Sequence, residues 1–292
     1  MTDVSRPAKL SIGQCGTLAC LLEVSAPKPG NVHRGADFDD MTYLDMAASA
    51  VAIAPALEGV AADGRLGQCV LAAVVATRRV TATNTNLGTL LLLAPLAIVP
   101  QDDPLRSGVA RVLRGLDAAD ARCVYEAIRV AQPGGLGKVT EADVAGPPPT
   151  DLLSAMRLSA DRDLVARQYI DGFAEVLDLV VPWLQEGLAR GWPLAEAIVH
   201  AQMRLMSRFP DSLIARKCGA AVAAQASAMA CDVLAAGSPG DETYQRGLLD
   251  LDFWLRSDGH RRNPGTTADL IAGGLFAALR DGIIEFPLRF YP

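Results

Sequence analysis

Apolar residues recur at intervals of three and four along most of this chain, as in Ile12, Cys15, Ala19 and Leu22 and again in Leu164, Ile170, Phe173, Leu177 and Val180. That spacing lays an apolar stripe along one face of an α-helix. Alternating runs of the kind a half-buried strand needs are nearly absent, so the pattern predicts an all-α protein. Helices are expected at 9–24, 42–62, 66–80, 87–98, 105–116, 118–131, 150–158, 162–190, 193–208, 212–236, 242–257 and 267–281. Only 283–291 reads as extended, and Pro287 confines it to an edge or tail because proline cannot donate to a ladder.

With 292 residues, 50% of them hydrophobic, the chain can bury a large core. Segment 132–150 holds Gly134, Gly135, Gly137 and three successive prolines at 147–149, which reads as a long loop between two helical halves. Candidate site residues fall on both sides of it. The expectation is therefore a single compact domain over 1–292 whose halves close around a central polar cleft.

The balance of 27 Lys plus Arg against 33 Asp plus Glu leaves no basic field to hold nucleic acid. Cys15, Cys20, Cys69, Cys123, Cys218 and Cys231 are scattered without a CxxC pair, as reduced core thiols in a cytoplasm would be. Arg6 and Lys9 are not followed by a secretory apolar core, and the longest apolar run, 87–99, contains Pro95 and is too short to span a bilayer. A cytoplasmic protein with small-molecule partners is expected, without nucleic acid or membrane; a homodimer is left open.

The densest chemistry lies in Ser25-Ala26-Pro27-Lys28-Pro29-Gly30-Asn31-Val32-His33-Arg34-Gly35, which leads into Asp37, Asp39 and Asp40. Two prolines and a glycine fix an irregular path on which cations and carboxylates can be held. Glu23, near the end of the first helix, stands where the helix dipole disfavours a carboxylate. It reads either as a salt bridge to Lys28 or Arg34 or as a metal ligand or general base. The acidic turn reads either as a solvated lead into a Thr42 cap or as oxygen ligands for magnesium. His33 is a candidate in the loop, His200 reads as packed, and His260 is placed to touch phosphate; no zinc pattern is present.

Three further sites put polar residues at the start of an apolar helix: Thr83-Asn84-Thr85-Asn86, Pro210-Asp211-Ser212, and Asn263-Pro264-Gly265-Thr266-Thr267 with Asp269 beyond. Each is a cap, and Thr266 with Asp269 has capping-box spacing. Together they also offer helix N-termini to anions, with Arg216 and Lys217 one turn past the second. Asp163 and Arg167 have the spacing of a plain (i, i+4) ion pair. The run Gly134-Gly135-Leu136-Gly137-Lys138 fails as a phosphate loop, because Gln132 holds the first glycine position and Val139 follows the lysine.

At these residues the chain resembles the triphosphoribosyl-dephospho-coenzyme A synthase family. The resemblance spans about 23–275 and rests on Glu23 with 27–32, the turn 35–41, Asn84 to Gly88, Asp211 to Gly219, and Asn263-Pro264-Gly265 with Ala268-Asp269-Leu270. It implies an all-helical transferase that takes ATP as substrate with Mg2+, attaches a triphosphoribosyl unit to dephospho-coenzyme A and releases adenine. Glu23, Asp39, Asp40 and His33 become the catalytic candidates. Lys28, Asn31, Arg34, Asn84, Asn86, Asp211, Ser212, Arg216, Lys217, Asn263 and Thr266 become the nucleotide-binding ones. Glu23, Asp37, Asp40 and Asp269 become the metal ligands, and which carboxylate is the base stays open.

The chain departs from the family pattern where Asn86-Leu87 stands for His-Lys, Asp37 for His, and Asp211-Ser212-Leu213 for Asp-Thr-Asn. These departures imply a divergent branch that keeps nucleotide handling more surely than the acceptor. An alternative in another class is a magnesium-dependent hydrolase or phosphotransferase of a nucleotide or ribosyl compound, as in one-carbon carrier biosynthesis. A third is a helical binding protein without catalysis.

Overall fold

A computed structural model describes residues 9–134 and 143–292. The helices are α1 (Ile12–Ser25), α2 (Tyr43–Ala52), α3 (Ala54–Asp63), α4 (Leu66–Arg78), α5 (Leu87–Ile98), α6 (Leu105–Arg114), α7 (Ala118–Ala131), α8 (Leu152–Ser159) and α9 (Leu164–Asp171). A π-helical stretch, Glu175–Val180, runs into α10 (Val181–Ala189) and is followed by α11 (Leu194–Arg208), α12 (Ser212–Cys218), α13 (Ala220–Ala235), α14 (Glu242–Arg256) and α15 (Gly265–Arg280). The all-α expectation holds, with one short extended segment at Ser257–His260. Arg6 and the glycine-rich run from Gly135 to Lys138 lie outside the described residues.

Three expected helices are broken, each at a residue with a backbone reason. Pro55 splits 42–62 at Ile53, because its ring cannot sit against the carbonyl of Val51 in a continuous helix. Gly172, at φ 64°, ends α9 inside 162–190, and the chain resumes as the π-helical stretch. Gly219, at φ 95°, separates α12 from α13.

The centre is built on α5 and α15, whose apolar residues run around the whole helix rather than along one stripe. Ten of the twelve α5 residues are buried, and α3, α4, α6 and α15 pack around it. Pro95 lies inside α5 and cannot donate to the Leu91 carbonyl. Tyr169 replaces that bond, its hydroxyl donating to Leu91 O at 2.7 Å. On α15, a β-carbon at Gly274 would fall 2.3 Å from Val180 Cγ1, so glycine there permits the π-helical stretch to lie against the helix.

A smaller apolar cluster joins α11 to α14 through Met203, Met206, Ile214, Val233, Tyr244 and Leu251. The tail after α15 straps the two regions together. Arg289 O and Phe290 O accept from the first free amides of α11, Leu194 N and Ala195 N, and the Tyr291 hydroxyl donates to Ser25 O at the end of α1. The pair α2 and α3 is long and apolar enough to cross a membrane by length and composition. It packs on α1, α4 and α5, with Leu44 and Val51 left exposed.

Candidate functional site

The helix starts at α5, α12 and α15 and the irregular loop after α1 converge on one cavity of about 640 Å³. Its wall carries the carboxylates Glu23, Asp40, Asp163 and Asp269 and the cations Arg78, Arg216 and Lys217. Residues from both sides of segment 132–150 contribute to it, with Gln132 and Gly134 at its edge.

Glu23 reaches the wall from the last turn of α1, where the dipole works against it. Its compensation is Lys28, fully buried, whose Nζ stands 2.8 Å from Glu23 Oε1 and also donates to the Glu23 carbonyl oxygen. The salt-bridge reading of Glu23 is therefore realised through Lys28. Lys28 itself is not on the cavity wall, because its ammonium is committed inward.

Asp269 stands on α15, facing the start of α5. Thr89 Oγ1 donates to Asp269 Oδ1 at 2.6 Å. A β-carbon at Gly88 would fall 2.1 Å from Asp269 Oδ2, so glycine is what lets α5 approach this carboxylate. Burial pushes the Asp269 carboxyl up to about 7 against the pull of the Thr89 bond, and the Glu23 charge adds to the rise. Such a group is present in both protonation states near neutrality and can carry a proton either way.

Asp40, more exposed, pairs with His260 Nε2 at 3.3 Å, and the His260 ring stacks on Phe38 at 5.1 Å. Asn84 Oδ1 accepts from Leu87 N at 3.1 Å as a cap, and buried Asn86 is bonded to Thr77 Oγ1. Asn31 and Asn263, both on the wall, are joined by a 2.7 Å bond. Thr266 is buried at the wall, and its hydroxyl has no hydrogen-bond partner among the described residues. The expected Thr266–Asp269 capping box is not formed, because Asp269 is engaged by Thr89.

Several candidates are placed elsewhere. Asp211 and Ser212 are buried away from the cavity: Asp211 bonds the amides of Leu213, Ile214 and Thr267, and Ser212 Oγ accepts from Leu164 N. Asp37 Oδ1 accepts from Tyr43 N at the start of α2, and Asp39 is exposed off the wall. Arg34 lies over the Tyr291 ring at 5.9 Å. His33 is half-buried off the wall, with burial and then the Arg256 charge holding its imidazole below the usual range. The metal set Glu23, Asp37, Asp40 and Asp269 is not gathered. Among the described residues, no group of three or more His, Cys, Asp and Glu side chains is arranged to hold a metal ion.

Asp163 and Arg167 do not pair. Asp163 caps α9 and binds Arg216 across the cavity, while Arg167 turns to Glu175 at 3.8 Å. His200 is packed, as expected, against Trp192 and Tyr244. Sequence reasoning missed Arg78, Thr89 and Gln202. For Thr89 and Gln202 the available signal was a polar residue inside a buried apolar helix, which needs a partner.

Fold and cavity together define an all-helical protein with a small-molecule-sized cleft of mixed charge. The chain belongs to the ATP:dephospho-CoA triphosphoribosyl transferase family, whose sequence model matches residues 9–286. It is 32% identical over 105 residues to a 2-(5''-triphosphoribosyl)-3'-dephosphocoenzyme-A synthase from Klebsiella pneumoniae, a match spanning 36% of this chain and only 37% of that relative. A crystal structure of a provisionally named triphosphoribosyl-dephospho-CoA synthase from Archaeoglobus fulgidus superposes with a TM-score of 0.64 at 29% identity, over 81% of this chain and 99% of that one.

Proposed function

We propose that the protein transfers the 5-triphosphoribosyl unit of ATP to the ribose 2′-hydroxyl of 3′-dephospho-coenzyme A and releases adenine. The observation that carries this reading is the Glu23–Asp269 wall, which sets a carboxylate held by a buried lysine beside one poised near neutrality, in a cavity that also holds Arg216 and Lys217. The family description, which names ATP and dephospho-CoA, supports the choice of substrates.

In this reaction the acceptor oxygen bonds to C1′ of the ATP ribose as the C1′–N9 bond breaks, and adenine leaves with the bonding pair. The hydroxyl proton is lost and an adenine nitrogen gains one. Asp269 is suited to the proton transfers. Glu23, with its charge compensated by Lys28, is suited to stabilise positive character at C1′. Arg78, Arg216 and Lys217 are suited to the triphosphate.

Magnesium fits this wall as an ion brought in with the triphosphate rather than as a resident of a protein cage. Glu23 is engaged by Lys28, Asp163 by Arg216 and Asp269 by Thr89. Asp40, bound among the described residues through His260, is the carboxylate of this wall available to it. When bound, the ion would neutralise phosphate charge. The same reading makes the protein a cytoplasmic enzyme with small-molecule partners.

The test is incubation with ATP, Mg2+ and 3′-dephospho-coenzyme A, with free bases separated and the acceptor weighed by mass spectrometry. Adenine is expected in equal amount to acceptor carrying the added triphosphoribosyl mass. ADP or inorganic phosphate in place of adenine would overturn the assignment.

A further inference from the structure

Three carboxamides run in line from α11 to the cavity. Fully buried Gln202 donates through Nε2 to Pro29 O at 3.2 Å and to Asn31 Oδ1 at 2.9 Å, and Asn31 Nδ2 donates to Asn263 Oδ1 at 2.7 Å, with Pro264 O a second acceptor at 3.5 Å. A backbone carbonyl has no proton to give, so Pro29 O fixes which end of the Gln202 amide faces it. Asn31 must then turn its oxygen to Gln202 and its amino group to Asn263. Asn263 has only its own amino group left to face the cavity that it lines.

Next to it, the first turn of α15 brings Thr266, 3% exposed, whose unpartnered hydroxyl lines the same cavity. Amide protons, a free hydroxyl and a helix N-terminus in a cavity shared with Arg216 and Lys217 suit an anionic oxygen. Bonds aligned in one direction also polarise each other, which strengthens the last donor. Gln202 is held in place at a cost, since its Oε1 has no partner among the described residues, while its Nε2 serves both Pro29 O and Asn31 Oδ1.

We propose that Gln202 is a positioning residue: through Asn31 it holds Asn263 with its amide protons toward the cavity, where they and the Thr266 hydroxyl bind a phosphate oxygen of the nucleotide. This rests on the nucleotide reading above.

The test is calorimetric binding of ATP and of inorganic triphosphate, without turnover, to the wild type, Gln202→Met, Asn263→Asp, Asn263→Ala and the Gln202→Met/Asn263→Ala double variant. Asn263→Asp still accepts from Asn31 but turns an oxygen to the cavity, and is expected to weaken both ligands by about tenfold or more. Gln202→Met is expected to weaken both by about fivefold, and to cost no further affinity once Asn263 is alanine. Additive losses, or full affinity in Asn263→Asp, would overturn the proposal. So would weakening of ATP alone, which would move the contact off phosphate. Adenine release by the wild type is scored separately, so failure of the transferase reading is told apart from failure of the relay.

Discussion

The carboxylate of Asp211 holds Thr267 by both its backbone and its side chain, with Oδ2 accepting from Thr267 N at 2.7 Å and from Thr267 Oγ1 at 2.8 Å. Its other oxygen accepts from Leu213 N at 2.8 Å and Ile214 N at 3.0 Å. One buried side chain thus caps α12 and α15 and fixes the angle at which both meet the cavity.

Removing that cap leaves buried amides without acceptors. Asp211→Ala is expected to cost about 3 kcal/mol of stability, read by urea denaturation. A loss below about 1 kcal/mol would show that the two helix starts find other partners.

Burial raises the carboxyls of Asp269 and Asp211, so the folded state binds protons more tightly there than the unfolded chain, whose carboxyls titrate near about 4. Their contribution to stability is therefore full below that value. For Asp269 it is lost as pH rises toward about 7. Melting temperature measured across this window should fall with pH in the wild type and fall less in Asp269→Asn. An identical slope in the two proteins would contradict the assignment, and adenine release should show a limb near the same pH.

Gly88→Ala separates geometry from stability. The new β-carbon would displace the Asp269 carboxylate and break the Thr89 bond. The gain in helix propensity, about 1 kcal/mol, offsets much of the clash. Adenine release should drop more than about tenfold while the melting temperature moves by only a few degrees. Unchanged turnover would mean that the carboxylate position is not critical.

Lys28→Met leaves Glu23 buried without its counter-charge. The expected cost is about 3–5 kcal/mol by chemical denaturation, and adding Glu23→Gln should restore part of it. If the double variant is no more stable than Lys28→Met, the two side chains are not coupled as their 2.8 Å contact indicates.

Much of the local structure was legible before any fold was known. Thr42 caps α2, Asp211 caps α12, and the 87–98 helix forms with Pro95 inside it. The breaks at Ile53 and Gly172 were also written locally, in Pro55 and in a glycine at positive φ, but an uninterrupted apolar spacing masks them. The carboxylates were harder. Glu23, Asp40 and Asp269 meet at one wall, while Asp37 is used up on Tyr43 N.

Taken alone, the sequence determined helix against strand, the caps of α2, α5 and α12 and the irregular loop at 25–35, because each depends on neighbours a few residues away. Tertiary structure alone decided what the polar residues face. Asn31 meets Asn263 across 232 positions and Asp211 meets Thr267 across 56. Lys28 turns inward to Glu23 rather than outward to a phosphate, since a buried carboxylate at a helix C-terminus demands a cation and no spacing rule states which lysines are left for a ligand.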